Sequence, residues 1–155
     1  MLLDSVLKNN RNKVEYLLVS GSDPDFSDEN GFSLLHWACQ ENYIEIVRLL
    51  HRYRANLNIV DAHGITPLFN SSGQGNIGMI EVLLELGADV NKVTGLGSAL
   101  HNACAYENVE VVDILLKYNI DIDIRNADGC LAKDMTENKI IKNKLAAYIK
   151  RKAHR

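Results

Sequence analysis

Nothing in this sequence approaches the run of about 20 apolar residues that a bilayer-crossing helix requires. The start, Met1-Leu2-Leu3-Asp4-Ser5, has no basic stretch and meets an acid at once, so it does not read as a secretory signal. Cysteine is scarce and odd in number. Three residues with no paired spacing argue against a disulfide framework and for a reducing compartment, so the cytoplasm, or the nucleus by diffusion, is the expected location. Proline occurs only twice, while asparagine and isoleucine are plentiful, a composition compatible with an AT-rich genome. What is present suits one folded domain: 155 residues, 46% hydrophobic and 24% charged.

The net charge of −3 conceals two regions of opposite sign. From Thr136 onward seven Lys/Arg face one acid, Glu137, a net of +6; the rest holds ten bases against 19 acids, a net of −9. Duplex affinity rests on neutralising phosphates with Lys and Arg, so the acidic body is a poor nucleic-acid binder.

The strongest signal is an internal period. Asp28-Glu29-Asn30-Gly31-Phe32-Ser33-Leu34-Leu35-His36 returns 33 residues later as Asp61-Ala62-His63-Gly64-Ile65-Thr66-Pro67-Leu68-Phe69. A third copy, one residue shorter in its loop, includes Leu96-Gly97-Ser98-Ala99-Leu100-His101-Asn102-Ala103-Cys104. Each copy leads to an apolar block (Ile46 to Leu50, Ile80 to Leu84, Val111 to Leu116). Each then reaches a turn: Arg54-Ala55-Asn56-Leu57-Asn58, Gly87-Ala88-Asp89-Val90-Asn91 and Asn119-Ile120-Asp121-Ile122-Asp123. These co-registered signals, in units of 33, 33 and 32 residues, resemble the ankyrin-repeat family, with its Thr-Pro-Leu-His-x-Ala motif and Gly-Ala-Asp-x-Asn end. The resemblance covers the whole chain. It implies an all-α solenoid of helix-turn-helix repeats joined by β-hairpin-like loops. It also implies a protein-binding module, an adaptor or inhibitory subunit, rather than an enzyme.

Local chemistry agrees with that reading. Ser33, Thr66 and Ser98 stand where a side-chain oxygen can cap a helix start, and Pro67 takes the first helical position, where no N–H is needed. Ala38-Cys39, Ser71-Ser72 and Ala103-Cys104 keep the first helices thin. The second helices show apolar residues at helical spacing. Gly87 is expected to end its helix in the left-handed conformation, Asn119 can do so, and Arg54 does so at some cost in stability. Five units follow: an N-terminal capping repeat over 1–27, repeats over 28–60, 61–93 and 94–125, and a C-terminal capping repeat over 126–155 with the basic tail. Asp4, Lys8, Asn9 and Asn10 suggest a polar outer face for the first unit. Asp134 replaces the motif histidine in the last, and a lysine-rich helix follows from about Ile140 to Ile149. Capping at both ends suggests a complete domain.

His36-x-x-Cys39 and His101-x-x-Cys104 have the ligand types of a zinc site. Their register assigns them to the scaffold instead: the histidines occupy the motif's structural position, and the cysteines stand where alanine is usual, two repeats apart. No metal or cofactor is expected, and no activated nucleophile is recognisable. A metal protein or enzyme built on these pairs is the weakest of the alternatives; a microbial effector acting by binding is another. Cys130 is expected as an exposed thiol at a loop tip. Gly73-Gln74-Gly75-Asn76 lacks the lysine of a phosphate loop and reads as a turn between helices. Asp23-x-Asp25 and Asp121-x-Asp123 lack the glycine and distal glutamate of an EF-hand and read as repeat-end turns. Lys150-Arg151-Lys152-Ala153-His154-Arg155 fits a solvated helix end, with a nuclear-import or lipid-headgroup patch as the rival.

The resemblance implies that a partner is held by loop tips and first helices. Those positions here are Glu29, Asn30, Phe32, Trp37, Gln40 and Glu41; then Ala62, His63, Ile65, Asn70 and Gln74; then Thr94, Leu96, Asn102, Ala105 and Tyr106. Phe32 and Ile65 are expected to be exposed at their tips, and Trp37 stands between exposure and burial against the next repeat. Phe32, Trp37, His63 and Tyr106 form the candidate stripe, with Glu29 and Glu41 favouring a basic protein partner. The shortened loop with Gly95 and Gly97 either makes room for a ligand or is a tolerated deletion. Asn91 matches the context in which some animal members are hydroxylated. The chain is expected to be monomeric.

Overall fold

The computed structural model describes residues 1–154. Helices come in successive pairs: α1 (Leu2–Leu7) with α2 (Arg11–Val19), α3 (Leu34–Gln40) with α4 (Ile44–Arg52), α5 (Pro67–Gln74) with α6 (Ile77–Glu85), and α7 (Ala99–Ala105) with α8 (Val109–Lys117). A short 3₁₀ helix (Ala132–Met135) precedes the long α9 (Lys139–Ala153). The architecture is an all-helical solenoid, as the sequence leads one to expect. Among the described residues three of the hairpin-like loops carry a single bridge each, Ser27 with Ser33, Thr94 with Gly97 and Arg125 with Leu131.

The first helix of each pair packs on the first helix of the next, more closely than the second helices approach one another. Ala38, Ser71, Ser72, Ala103 and Cys104, all buried, permit that approach. Such unequal spacing curves a stack toward its first helices. Between the layers lie fully buried Leu34, Leu35, Ile46, Leu49, Leu50, Met79, Ile80, Leu83, Leu100 and Leu115.

Helix starts are written in the sequence. The Ser33 and Thr66 oxygens accept from the N–H groups of His36 (3.2 Å) and Phe69 (3.1 Å). Asn10 and Asn76 do the same for α2 and α6. Left-handed backbone recurs at the repeat interval: Asn9, Asn42, Gly75 and Glu107 between paired helices, Gly21, Arg54 and Gly87 after the second helix, and Gly31, Gly64, Gly97 and Gly129 in the loops. Arg54, at φ +70°, is the strained member foreseen from sequence. Asn119 departs from expectation and is not left-handed: α8 ends at Lys117, in register with α4 and α6, but Tyr118 leaves in the extended region, where Tyr53 and Leu86 do not.

The turns after the second helices are Asx turns. Asp23, Asn56, Asp89 and Asp121 each accept from the N–H two residues on, at 2.9 Å. The neighbouring side chains of Asp25, Asn58 and Asn91 reach forward to the N–H groups of Asn56, Asp89 and Asp121, at 2.7, 2.8 and 2.7 Å. One polar residue per unit therefore fixes the spacing to the next.

Asp4, Lys8, Asn9 and Asn10 of the first unit are all exposed. Met1 (88% exposed) and Phe26 (39%), with half-buried Leu3 and Leu17, line an apolar hollow of about 330 Å³. Asp4 and Lys8 do not line that hollow; they pair with each other at 3.0 Å. At the other end the basic tail residues Lys150, Arg151 and Lys152 form the last turn of α9, which is longer than expected; Arg155 lies outside the described residues.

Candidate protein-binding face and its scaffold

Each loop tip is built around one polar side chain. Asp28 Oδ1 accepts from the N–H groups of Asn30 (2.9 Å) and Phe32 (3.0 Å), and Asp61 Oδ1 from those of His63 (2.8 Å) and Ile65 (2.9 Å). Asn126 serves Asp128 and Cys130 in the same way. In the shortened loop Thr94 substitutes: its Oγ1 accepts from Leu96 N–H at 3.2 Å and donates to the Gly97 carbonyl at 2.8 Å. The backbone of Thr94 and Gly97 exchanges both hydrogen bonds, 2.8 and 3.0 Å, so the deletion leaves a two-residue turn over Gly95 and Leu96. Gly97 is obligatory there, since it is left-handed and a Cβ would strike the His101 ring.

The two motif histidines tie these loops to the helices. Nδ1 of His36 lies 3.2 Å from the Ser33 backbone N–H, which can only donate, so Nδ1 is the acceptor and Nε2 carries the proton. Nε2 then donates to the Ile65 carbonyl in the next loop at 2.9 Å. His101 repeats the arrangement with Ser98 N–H (3.1 Å) and the Cys130 carbonyl (3.0 Å). Burial depresses the pKa of both rings, opposed by the carbonyl bonds and by nearby carboxylates: Asp61 and Asp28 for His36, Asp134 for His101. Asp134 itself accepts from Leu131 N–H at 3.0 Å, reproducing the Nδ1 half of the histidine's role.

Both nitrogens of each histidine are thus engaged within the scaffold. The neighbouring thiols point into the core: burial raises Cys39 strongly and pushes Cys104 up to about 12, which keeps both protonated at neutral pH. The His/Cys pairs serve packing and loop registration.

On the outer side, Phe32 lies 4.8 Å from the His36 ring and edge-on to Trp37 at 5.0 Å. The Trp37 indole N–H reaches Asp28 Oδ2 at 3.3 Å. Phe32 and Trp37 are both half-buried, so the exposure expected of Phe32 is only partial. Ile65 is a correction: it is 8% exposed, because the tip turn ends at Gly64 and Ile65 has already entered the segment that runs beneath it. Cys130 is also half-buried and sits at the Ile65-equivalent position rather than at a tip. Glu29, Asn30, Gln40, Glu41, Ala62, His63, Gln74, Ala105 and Glu107 are exposed, as are Leu96 (61%) and Tyr106 (67%). Asn70 is half-buried and Thr94 buried. Asn102 spends its amide on the Phe69 carbonyl, 2.8 Å away, and Asn91 spends its own on Asp121 and Asn119. The sequence reading missed the anchoring roles of Asp28 and Asp61; an acid four residues ahead of a hairpin's return position was the available signal.

Family models for ankyrin repeats match residues 2–94 (three copies) and 83–135 (many copies). The chain belongs to the ankyrin-repeat family. Its relatives include E3 ubiquitin-protein ligase KEG of Arabidopsis thaliana, 30% identical over 95% of this chain and 10% of that protein. Human neurogenic locus notch homolog protein 1 is 37% identical over 71% of this chain and 4% of its own length. Mouse ankyrin repeat and SOCS box protein 9 is 31% identical over 63% of this chain and 33% of its own length. The chain thus spans a third or less of these relatives. Ankyrin repeats are protein–protein interaction modules, and the tip-and-helix face belongs to such a module. Among the described residues no helix is long and apolar enough to cross a membrane.

Proposed function

We propose that this ankyrin-repeat chain is an adaptor or inhibitory binding subunit that holds one protein partner on its loop tips and first helices. It acts as a monomer of five units, bounded at 27, 60, 93 and 125, in the cytoplasm or nucleus. The observation that carries the reading is the set of tips locked by Asp28, Asp61, Thr94 and Asn126 beside the Phe32–Trp37 pair. Tips ordered before binding lose little entropy on contact, and a half-buried tryptophan offers a rigid apolar anchor. Leu96 and Tyr106 extend the apolar contact. Glu29, Glu41 and Asp28 give this end an acidic rim, which favours a partner with a basic surface.

The test starts from affinity capture in the native organism and mass spectrometry. Trp37→Ala and Phe32→Ala are then titrated against the captured protein, with thermal melts to verify folding. Each is expected to weaken binding by about 1–2 kcal/mol. Two folded variants that both bind within about 0.5 kcal/mol of wild type would remove this face from consideration.

A further inference from the structure

The basic tail takes part in a second feature, between the last two helices, which no loop-tip residue lines. Where α9 packs on α8, a groove of about 630 Å³ opens over Leu116, Ala147 and Tyr148, and continues past Asn119 into a second cavity of about 390 Å³. Its flanks carry Lys117 from the last turn of α8, and Arg151 and Lys152 from the last turn of α9. Helix dipoles favour cations in both last turns, but do not account for their convergence on one groove from two helices.

The groove holds one acid, Asp113, and Lys144 closes on it at 2.7 Å, leaving the other cations unopposed. Among the described residues neither Lys117 nor Arg151 forms an ion pair. Lys152 lies 5.8 Å from the Tyr148 ring centroid, and the Tyr148 hydroxyl donates to the Ile120 carbonyl at 3.2 Å, which fixes the floor in place.

From this arrangement we infer a second binding site: the α8–α9 groove takes an acidic peptide segment that carries an aromatic or aliphatic side chain. The apolar side chain lies on Leu116 and Tyr148 while its carboxylates meet Lys117, Arg151 and Lys152. Two other polyanions suit the groove less well. A bilayer surface is too flat to reach the floor of a concave groove. Nucleic acid carries charge well beyond the groove's length, and the −9 body repels it.

The experiment uses the full chain, ¹⁵N-labelled, with three probes: a peptide of alternating acids around a central phenylalanine, vesicles containing phosphatidylserine, and a single-stranded oligonucleotide. The peptide is expected to shift the backbone signals of Leu116, Lys117, Tyr148 and Arg151, with affinity that falls as salt rises. Lys117→Glu with Arg151→Glu, both at exposed positions, should weaken it about tenfold or more. Trp37→Ala should leave it unchanged, which separates this site from the tip face. Absence of binding, shifts confined to the loop tips, or tighter binding of the vesicles or the oligonucleotide would overturn the assignment.

Discussion

Two junctions of the stack are held by different chemistry. Between α3/α4 and α5/α6, a buried histidine bridges to the next loop, and the tips are tied by Ala62 N–H on the Asn30 carbonyl at 3.2 Å. Between α5/α6 and α7/α8, Phe69 occupies the histidine's place and Thr94 satisfies the carbonyl that the ring would have reached. No equivalent tip bond joins His63 to Gly95 among the described residues. Asparagines take over: Asn102 donates to the Phe69 carbonyl, and Asn108 to the carbonyls of Ser72 and Gly73, both at 2.9 Å. The same stacking geometry is thus reached by two sets of polar contacts, one buried and one nearer the surface.

Breaking the histidine junction should have the largest effect. His36→Ala removes the bridge, leaves the Ser33 N–H without its acceptor and opens a cavity, a loss of roughly 2–4 kcal/mol measurable by urea unfolding. The same bridge makes stability pH-dependent. With folded pKa values held below the unfolded value of about 6.5, the unfolded chain binds more protons in this range, so stability is full above pH ~6.5 and falls as the pH drops through the folded values. Melting curves between pH 8 and 5 should show that decline, and His36→Gln should flatten it; a wild-type Tm constant down to pH 5 would refute the neutral bridge.

Asn108→Ala tests the other junction and should cost about 1–1.5 kcal/mol, since its amide meets two carbonyls at a partly exposed site. The smallest change acts in the opposite direction, on the helix that the two junctions share. Ser71 Oγ is buried without a partner, at a position where the neighbouring pairs place Ala38 and Ala103. Ser71→Ala should raise stability by about 1 kcal/mol in chemical denaturation, since α5 then loses an unpartnered buried hydroxyl and gains a better helix former.

Much of this was legible in the sequence, and for a physical reason. Period, caps and the glycine turns are local properties, so Ser33, Thr66, Pro67 and Gly87 announced their elements and Arg54 its strain. The His/Cys pairs could be assigned to the scaffold because their register matched a framework position. The failures concern direction rather than identity. Ile65 was placed at a tip although one residue further along a hairpin turns the side chain inward. Asn119 stands in register with Arg54 and Gly87, but Tyr118 leaves α8 in the extended region, a backbone choice that the identity of Asn119 does not announce. Asn102 and Asn108 look in sequence like ordinary surface amides, because their carbonyl partners lie one repeat away.

The apolar hollow beside Met1 has a consequence for anyone who would lengthen this scaffold. A helix pair fused ahead of α1 meets an apolar hollow lined by Met1, Leu3, Leu17 and Phe26, surface that added apolar residues can cover. Growth beyond α9 meets instead a helix whose last turn is Lys150, Arg151 and Lys152. The two ends of the array are therefore unequal starting points for engineering.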